Sequence, residues 1–232
     1  MAKKSRALIY QKIFVILLFV VSGSLLLALI WSTFRIETSS NFMEGRDYQL
    51  IEKPRRIRGE KIEVIEFFSY GCVHCYRFEP ILATWVPERK DTIKFFQMPA
   101  VMSKYWELLG KHYYTLMRLE ELDNHHMGIF HAIHSSGQDF DSEEKLFEFV
   151  KKTGIDFDSY LKMFESTEVS ADIQKARQMA RRLRISAVPA IVVHGKYLVQ
   201  TSREIGLERV TEVVSYLIAK EVHGTTLMTN KD

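Results

Sequence analysis

Residues Phe67–Pro80 read FFSYGCVHCYRFEP and contain both cysteines of the 232-residue chain, Cys72 and Cys75, with Val73 and His74 between them. The stretch that leads into the pair, Lys61 to Ser69 (KIEVIEFFS), is β-branched and aromatic and reads as a strand. Thr92 to Met98 (TIKFFQM) reads as another, and the segment between them, Cys72 to Trp85, is expected to be helical. A strand running into a helix at this point places Cys72 at the helix N-terminus. There, unpaired backbone N–H groups and the helix dipole favour thiolate, the reactive form of cysteine.

Several uses of a close cysteine pair compete. As a staple, Cys72–Cys75 closes a minimal loop and removes little unfolded-chain entropy, because that gain grows with loop length. A structural zinc site needs four ligands, normally from a second Cys or His pair at matching distance. No second Cys pair exists, and His125, His126, His131 and His134 in NHHMGIFHAIH read as surface or packed helical residues. Covalent haem attachment requires His directly after the second Cys, where this chain has Tyr76. Disulfide exchange fits the spacing: the first sulfur faces solvent and attacks, while the second lies about one turn inward and resolves. His74 can donate a hydrogen bond or carry positive charge beside Cys72, and both favour the thiolate. Lowering that pKa stabilises the reduced form and makes the disulfide oxidising.

Within the first strand, period-two alternation puts Glu66 on the same face as Ile62, Val64 and Phe68. It reads as a buried acid with raised pKa that exchanges a proton with Cys75, against the alternative of a carboxylate reaching water at a sheet margin.

Further out, residues 105 to 184 show helical spacing in YWELLGKHYYTLMRLEEL and EEKLFEFVKKTG, with breaks near Ser135-Ser136-Gly137 and Gly154. SAVPAIVVHGKYLV then reads as a hairpin turning on two residues, His194 and Gly195, with Gly supplying positive φ. LERVTEVVSYLIAK puts Val210, Val213, Val214 and Leu217 on one face of a closing helix. The Arg177, Arg181 and Arg184 face of KARQMARRLR reads as solvated, with attraction to anionic lipid as the alternative.

At the other end, Ile13 to Phe34 contain no charged residue, and IFVILLFVVSGSLLLALIW (13–31) has the length of a membrane span. Lys3, Lys4, Arg6 and Lys12 precede it, so the positive-inside bias leaves the N-terminus in the cytoplasm and sends the rest across; in a bacterium, into the periplasm. A signal peptide cut near Ser22-Gly23-Ser24 is the competing reading, but its apolar core is usually shorter, about 7–15 residues. The formal net charge of +3 comes from this terminus; from residue 35 onward 28 basic residues face 29 acidic ones, which gives no sign of a nucleic-acid partner. The expected organisation is a tail and anchor (1–34), a polar tether (35–46), a first domain half (47–100), a helical insert (101–184), a second half (185–225) and a tail (226–232).

EFFSYGCVHCYRFEP, VPAIVVHGKY and EGRDYQLIEKP together closely resemble the DsbA-type periplasmic thiol:disulfide oxidoreductases, over residues 44 to about 220. The resemblance implies an α/β protein: a thioredoxin fold with an inserted helical domain, here preceded by one N-terminal transmembrane helix. It further implies that Cys72 attacks, that Cys75 is the buried partner, that an acid belongs at Glu66, and that Val188-Pro189 forms a cis-proline loop against the active site. Its implied partners are unfolded exported polypeptides with free thiols and a quinone-linked membrane oxidase of the DsbB type, with no dissociable cofactor. Family members often carry proline where this chain has Val73, which leaves the reduction potential open while His74 is retained. The expectation is therefore a membrane-anchored dithiol oxidase. The rivals are a reductase or isomerase that keeps the pair reduced, and a peptide-binding chaperone without turnover.

Overall fold

The structure, a computed structural model, describes residues 16–24, 26, 42–55, 57, 59–201 and 206–229. The chain divides into two units, Met1–Asn41 and Phe42–Asp232. In the first, residues 16–24 are helical and mostly exposed. Among the described residues, no helix is long and apolar enough to cross a membrane, and the remainder of the 13–31 span lies outside them.

In chain order the second unit contains β1 (Gln49–Leu50), β2 (Ile62–Phe68), α1 (Val73–Trp85), β3 (Ile93–Pro99), α2 (Lys104–Arg118), α3 (Leu122–His134), α4 (Glu143–Val150), α5 (Phe157–Phe164), α6 (Thr167–Arg182), β4 (Ala190–Val193), β5 (Tyr197–Gln200) and α7 (Leu207–Thr229). The strands form one sheet in the order β1-β5-β4-β2-β3. β2 and β3 are parallel, so the chain must cross over between them, and α1 is that crossover. The other pairs are antiparallel.

β2 is buried along nearly its whole length because both faces are covered. Ile62 and Val64 pack with Phe78, Leu82 and Trp85 of α1 and with Val210, Val213, Val214 and Leu217 of α7. Ile65 and Phe67 face the other way, into a second cluster with Leu109, Leu116, Ile129 and Phe130 of the helical insert. Phe130 is fully buried there, and Phe130→Ala would cost about 3–5 kcal/mol.

Four insert helices begin on a side-chain cap: Ser103, Ser142, Asp156 and Ser166 accept from the backbone N–H of Trp106, Lys145, Ser159 and Val169. Each is worth about 1 kcal/mol. The breaks at Gly137 and Gly154 carry positive φ, 67° and 88°. A further break, absent from the apolar spacing, lies at Glu120, whose φ of 59° ends the helical run between α2 and α3.

Three boundaries differ from the sequence expectation. Residues 35–41 of the tether lie outside the described residues, while 42–46 fold onto the domain, because the apolar ring of Phe42 is buried against Tyr216 beneath the Arg209 guanidinium. At the C-terminus α7 continues to Thr229, through most of the stretch read as a tail. The β4–β5 turn takes three residues: His194 and Gly195 both adopt positive φ, and Lys196 joins them by donating its N–H to the Val193 carbonyl at 3.0 Å. Positive φ at both central positions is the requirement of a type I′ turn.

Candidate active site

β2 delivers the chain to the cysteine pair through Ser69, Tyr70 and Gly71. A Cβ at Gly71 would lie 2.9 Å from both the Trp106 indole nitrogen and the Tyr105 ring, so the first turn of α2 closes over the approach to Cys72 at a distance only glycine allows. Cys72 is the N-cap of α1, with extended backbone at φ −101° and ψ 112°. Its Sγ accepts from the Cys75 N–H at 3.3 Å. No acidic side chain stands in the first turn of α1 to oppose a negative sulfur.

The two thiols are both free, and their surroundings drive their proton affinities apart. Cys72 is held down to about 6, first by the hydrogen bond from the Cys75 side chain, against the opposing effect of burial, and then by backbone N–H groups of Cys75 and His74 and the charge of His74. Cys75, with no exposed surface, is pushed far up by burial, by its hydrogen bond to Cys72 and by the negative charge of Glu66. One thiol is therefore poised to be a thiolate at neutral pH and the other to hold its proton.

Of the remaining expected site residues, Val188 and Pro189 reach this pair from the far side of the insert, while Glu66 and His74 belong to its own stretch of chain. The Val188-Pro189 bond is cis, and the Val188 carbonyl accepts from the Cys72 Sγ at 3.5 Å. Glu66 is fully buried, and burial raises its pKa well above the usual carboxylate range, reinforced by the nearby Glu79 charge. His74 is exposed on the first turn of α1.

Three residues that sequence reasoning did not select complete the site. Gln97, the partner of Glu66 across the β2–β3 ladder, donates from its amide to Glu66 Oε2 at 2.8 Å and to Glu79 Oε1 at 2.7 Å. Glu79 comes from α1, one turn beyond Cys75, and its Oε1 also lies 3.2 Å from His126 Nε2. The only cue available was polar character inside apolar stretches: Gln97 within FFQMP and Glu79 among residues of α1 that turn inward.

The other histidines disperse. His131 bonds the Tyr76 hydroxyl at 2.9 Å, His134 bonds the Tyr70 carbonyl at 2.8 Å, and His125 lies 3.5 Å from Glu121. Among the described residues no group of three or more His, Cys, Asp or Glu side chains could hold a metal ion. On the basic face, Arg177 pairs with Glu107 and Arg184 with Glu52.

A thiolate-forming N-cap cysteine, a buried partner thiol and an adjacent cis-proline loop constitute machinery for thiol exchange, and comparison with known proteins agrees. The family of the DsbA-like thioredoxin domain matches residues 63–217. The thiol:disulfide interchange protein DsbA of Azotobacter vinelandii is 34% identical over 180 residues, covering 76% of this chain and 83% of the relative. The crystal structure of Pseudomonas aeruginosa DsbA superimposes with a TM-score of 0.75 at 29% identity, over 81% of this chain and 98% of that one. The oxidoreductase DsbA from Xylella fastidiosa gives a TM-score of 0.71 at 30% identity, over 78% and 97%. This chain belongs to the DsbA-like thioredoxin-domain family and is a thiol:disulfide oxidoreductase of the DsbA type.

Proposed function

We propose that the protein is a dithiol oxidase for exported polypeptides, anchored in the bacterial inner membrane through residues 13–31 with its catalytic domain in the periplasm. The observation that carries the direction of electron flow is the divergence of the two thiols. A Cys72 thiol held at about 6 stabilises the reduced pair, and whatever stabilises the reduced form makes the disulfide a stronger oxidant.

In the forward reaction a substrate thiolate attacks the Cys72 sulfur of the Cys72–Cys75 disulfide. The S–S bond breaks, Cys75 leaves as a thiolate and takes a proton from Glu66, and a mixed disulfide remains at Cys72. A second thiolate of the same substrate then attacks the substrate's own sulfur, forming its disulfide and releasing Cys72 as a thiolate. Two electrons have passed from substrate to protein. His74 stabilises the Cys72 thiolate by its charge, and the Val188-Pro189 loop holds the extended substrate beside Cys72 by main-chain pairing. Main-chain pairing suits varied unfolded clients, because every client presents the same backbone. Reoxidation falls to a quinone-linked membrane oxidase of the DsbB type.

Rapid thiol alkylation in intact cells, followed by mass spectrometry of the Cys72–Cys75 peptide, tests this reading. A pair found mostly oxidised supports the oxidase; one found mostly reduced reverses the direction to reduction or isomerisation. Full function retained by a Cys72→Ser, Cys75→Ser protein would instead establish a chaperone. Carbonate extraction tests the anchor, since an uncleaved span stays with the membrane and a soluble product starting near Leu25 would show cleavage.

A further inference from the structure

Glu66 and Glu79 are joined through a single amide nitrogen, that of Gln97, which donates to both. Gln97 satisfies one oxygen of each carboxyl but brings no charge, and Glu66 Oε1 is buried without a hydrogen-bond partner. Two carboxyl groups this close oppose each other's ionisation, so the Glu79 charge adds to burial in raising the Glu66 pKa. What sits on the outer side of Glu79 therefore bears on what Glu66 can do for Cys75.

His126 sits there. Its Nε2 is 3.2 Å from Glu79 Oε1, close in distance but off the line of a hydrogen bond, and the nitrogen has no other partner. Its Nδ1 is 2.8 Å from the Tyr70 hydroxyl. That hydroxyl can serve either state of the ring: it donates to Nδ1 when the imidazole is neutral there and accepts from Nδ1–H when the ring is an imidazolium. Burial holds Tyr70 itself neutral. The groups around His126 are thus Tyr70 from the β2–α1 turn, Glu79 from α1, His112 and Tyr113 from α2, and His125 beside it on α3. Of these, Glu79 is the carboxyl group, and it faces the open nitrogen.

We propose that His126 is a positioning residue for the proton transfer at Cys75: its imidazolium, held by the Tyr70 hydroxyl, offsets the Glu79 carboxylate and so sets the pH at which Glu66 passes a proton to Cys75. This rests on the reading of Glu66 as the proton partner of Cys75. When the disulfide is reduced, the Cys75 thiolate takes the Glu66 proton and a second negative charge develops beside Glu79. A positive charge on His126 reduces the repulsion that this step must overcome. When the pair is reoxidised the proton returns to Glu66 and the demand on His126 is relieved.

The test is a double-mutant cycle on the full chain with His126→Gln, Glu79→Gln and the double variant, with His126→Asn as a second variant should the first fold poorly. Carboxyl carbon resonances of Glu66 and Glu79 are followed by NMR against pH in the reduced protein, together with the pH profile of reoxidation by oxidised glutathione. Loss of the imidazolium leaves Glu79 uncompensated, so the carboxyl pair should hold its proton to a pH about one unit higher in His126→Gln, with the reoxidation profile displaced in the same direction. In the Glu79→Gln background the same substitution should move neither readout, because the charge that His126 offsets is gone. An unmoved titration in His126→Gln, or an equal shift in both backgrounds, overturns the inference; the latter result would mean that His126 acts only through packing. Glu66→Gln separates the underlying reading. If it leaves the reoxidation profile unchanged, the role of Glu66 itself fails. If it flattens the profile while His126→Gln matches the parent, only the inference about His126 fails.

Discussion

Asp47 and Glu66 are buried to nearly the same degree, 2% and 0% exposed, yet their surroundings treat a proton in opposite ways. Burial alone pushes both carboxyls towards the protonated form. At Asp47 it is outweighed by the Met43 N–H at 2.9 Å and by the guanidinium groups of Arg46 and Arg209, each within 2.8 Å, which hold the group down to about 2. At Glu66 the neighbours are an uncharged amide and a second carboxyl, and the pKa rises well above the ordinary range. The contrast shows that burial does not by itself make a carboxylate functional. Asp47 is fully matched by donors and ties the start of the domain to α7. Glu66 is left mismatched next to a thiol that must gain and lose a proton, and such a mismatch is what a proton donor requires.

The largest expected effect separates the two regions by chemistry. Cys75→Ser removes the partner sulfur beside Glu66, so the Cys72–Cys75 disulfide cannot form and oxidation of substrate dithiols should be lost, read as loss of turnover. Asp47→Asn should leave the rate per folded molecule within about twofold, as expected of a site not coupled to the chemistry. A comparable loss in both would break the division between a structural and a functional acid.

Next comes stability. Glu66→Leu replaces a partly unsatisfied buried acid with an apolar chain and should raise the unfolding free energy by about 1–3 kcal/mol in urea titrations at neutral pH. Asp47→Leu strips charged donors of their acceptor and should lower it by about 1.5–3 kcal/mol. Changes of the same sign would refute the comparison.

The pH dependence sharpens it. Asp47 has a folded pKa of about 2, below its unfolded value of about 3.9, so its stabilisation is complete above that value and fades as pH falls towards 2. Glu66 has a folded pKa above its unfolded value of about 4.3, so the native state is penalised increasingly as pH rises through that interval. Asp47→Asn should flatten the acid limb of the stability curve, and Glu66→Leu should flatten the decline on its alkaline side.

The smallest effect concerns His74. Its charge is the last of the influences on Cys72, after the Cys75 side chain and the backbone N–H groups, so His74→Ala should raise the Cys72 value from about 6 by less than about one unit. Thiolate absorbance of the reduced protein measures this. A shift of two units would make His74, and not the helix terminus with its partner thiol, the main source of the thiolate.

Much of this site was legible in the linear chain because it lies in one stretch. The strand-to-helix junction at Cys72 and the inward position of Cys75 are local properties, set within a few residues by propensity and helix geometry. The hairpin of β4 and β5 and the apolar face of α7 were readable for the same reason. The alternation that grouped Glu66 with Ile62, Val64 and Phe68 fails at Phe68, which packs on the insert side, and Glu66 is buried because both faces of β2 are covered. The reading lost accuracy where a local pattern met a tertiary partner. Phe42 looked like part of a polar tether until Tyr216 and Arg209 covered it, and the α2–α3 run looked continuous until Glu120 turned it.

From the sequence alone came the reactive pair, its place at a helix terminus and the reaction class, since each depends on neighbours a few residues apart. Tertiary structure alone decided that Gln97 would bridge Glu66 to Glu79 and that His126 would stand against Glu79 from α3, while the meeting of Val188 with Cys72 was implied by the family resemblance and by no local pattern. These contacts depend on sheet register and on the packing of helices distant in sequence. No periodicity within one segment encodes which polar side chain of another segment will lie beside it once both are buried.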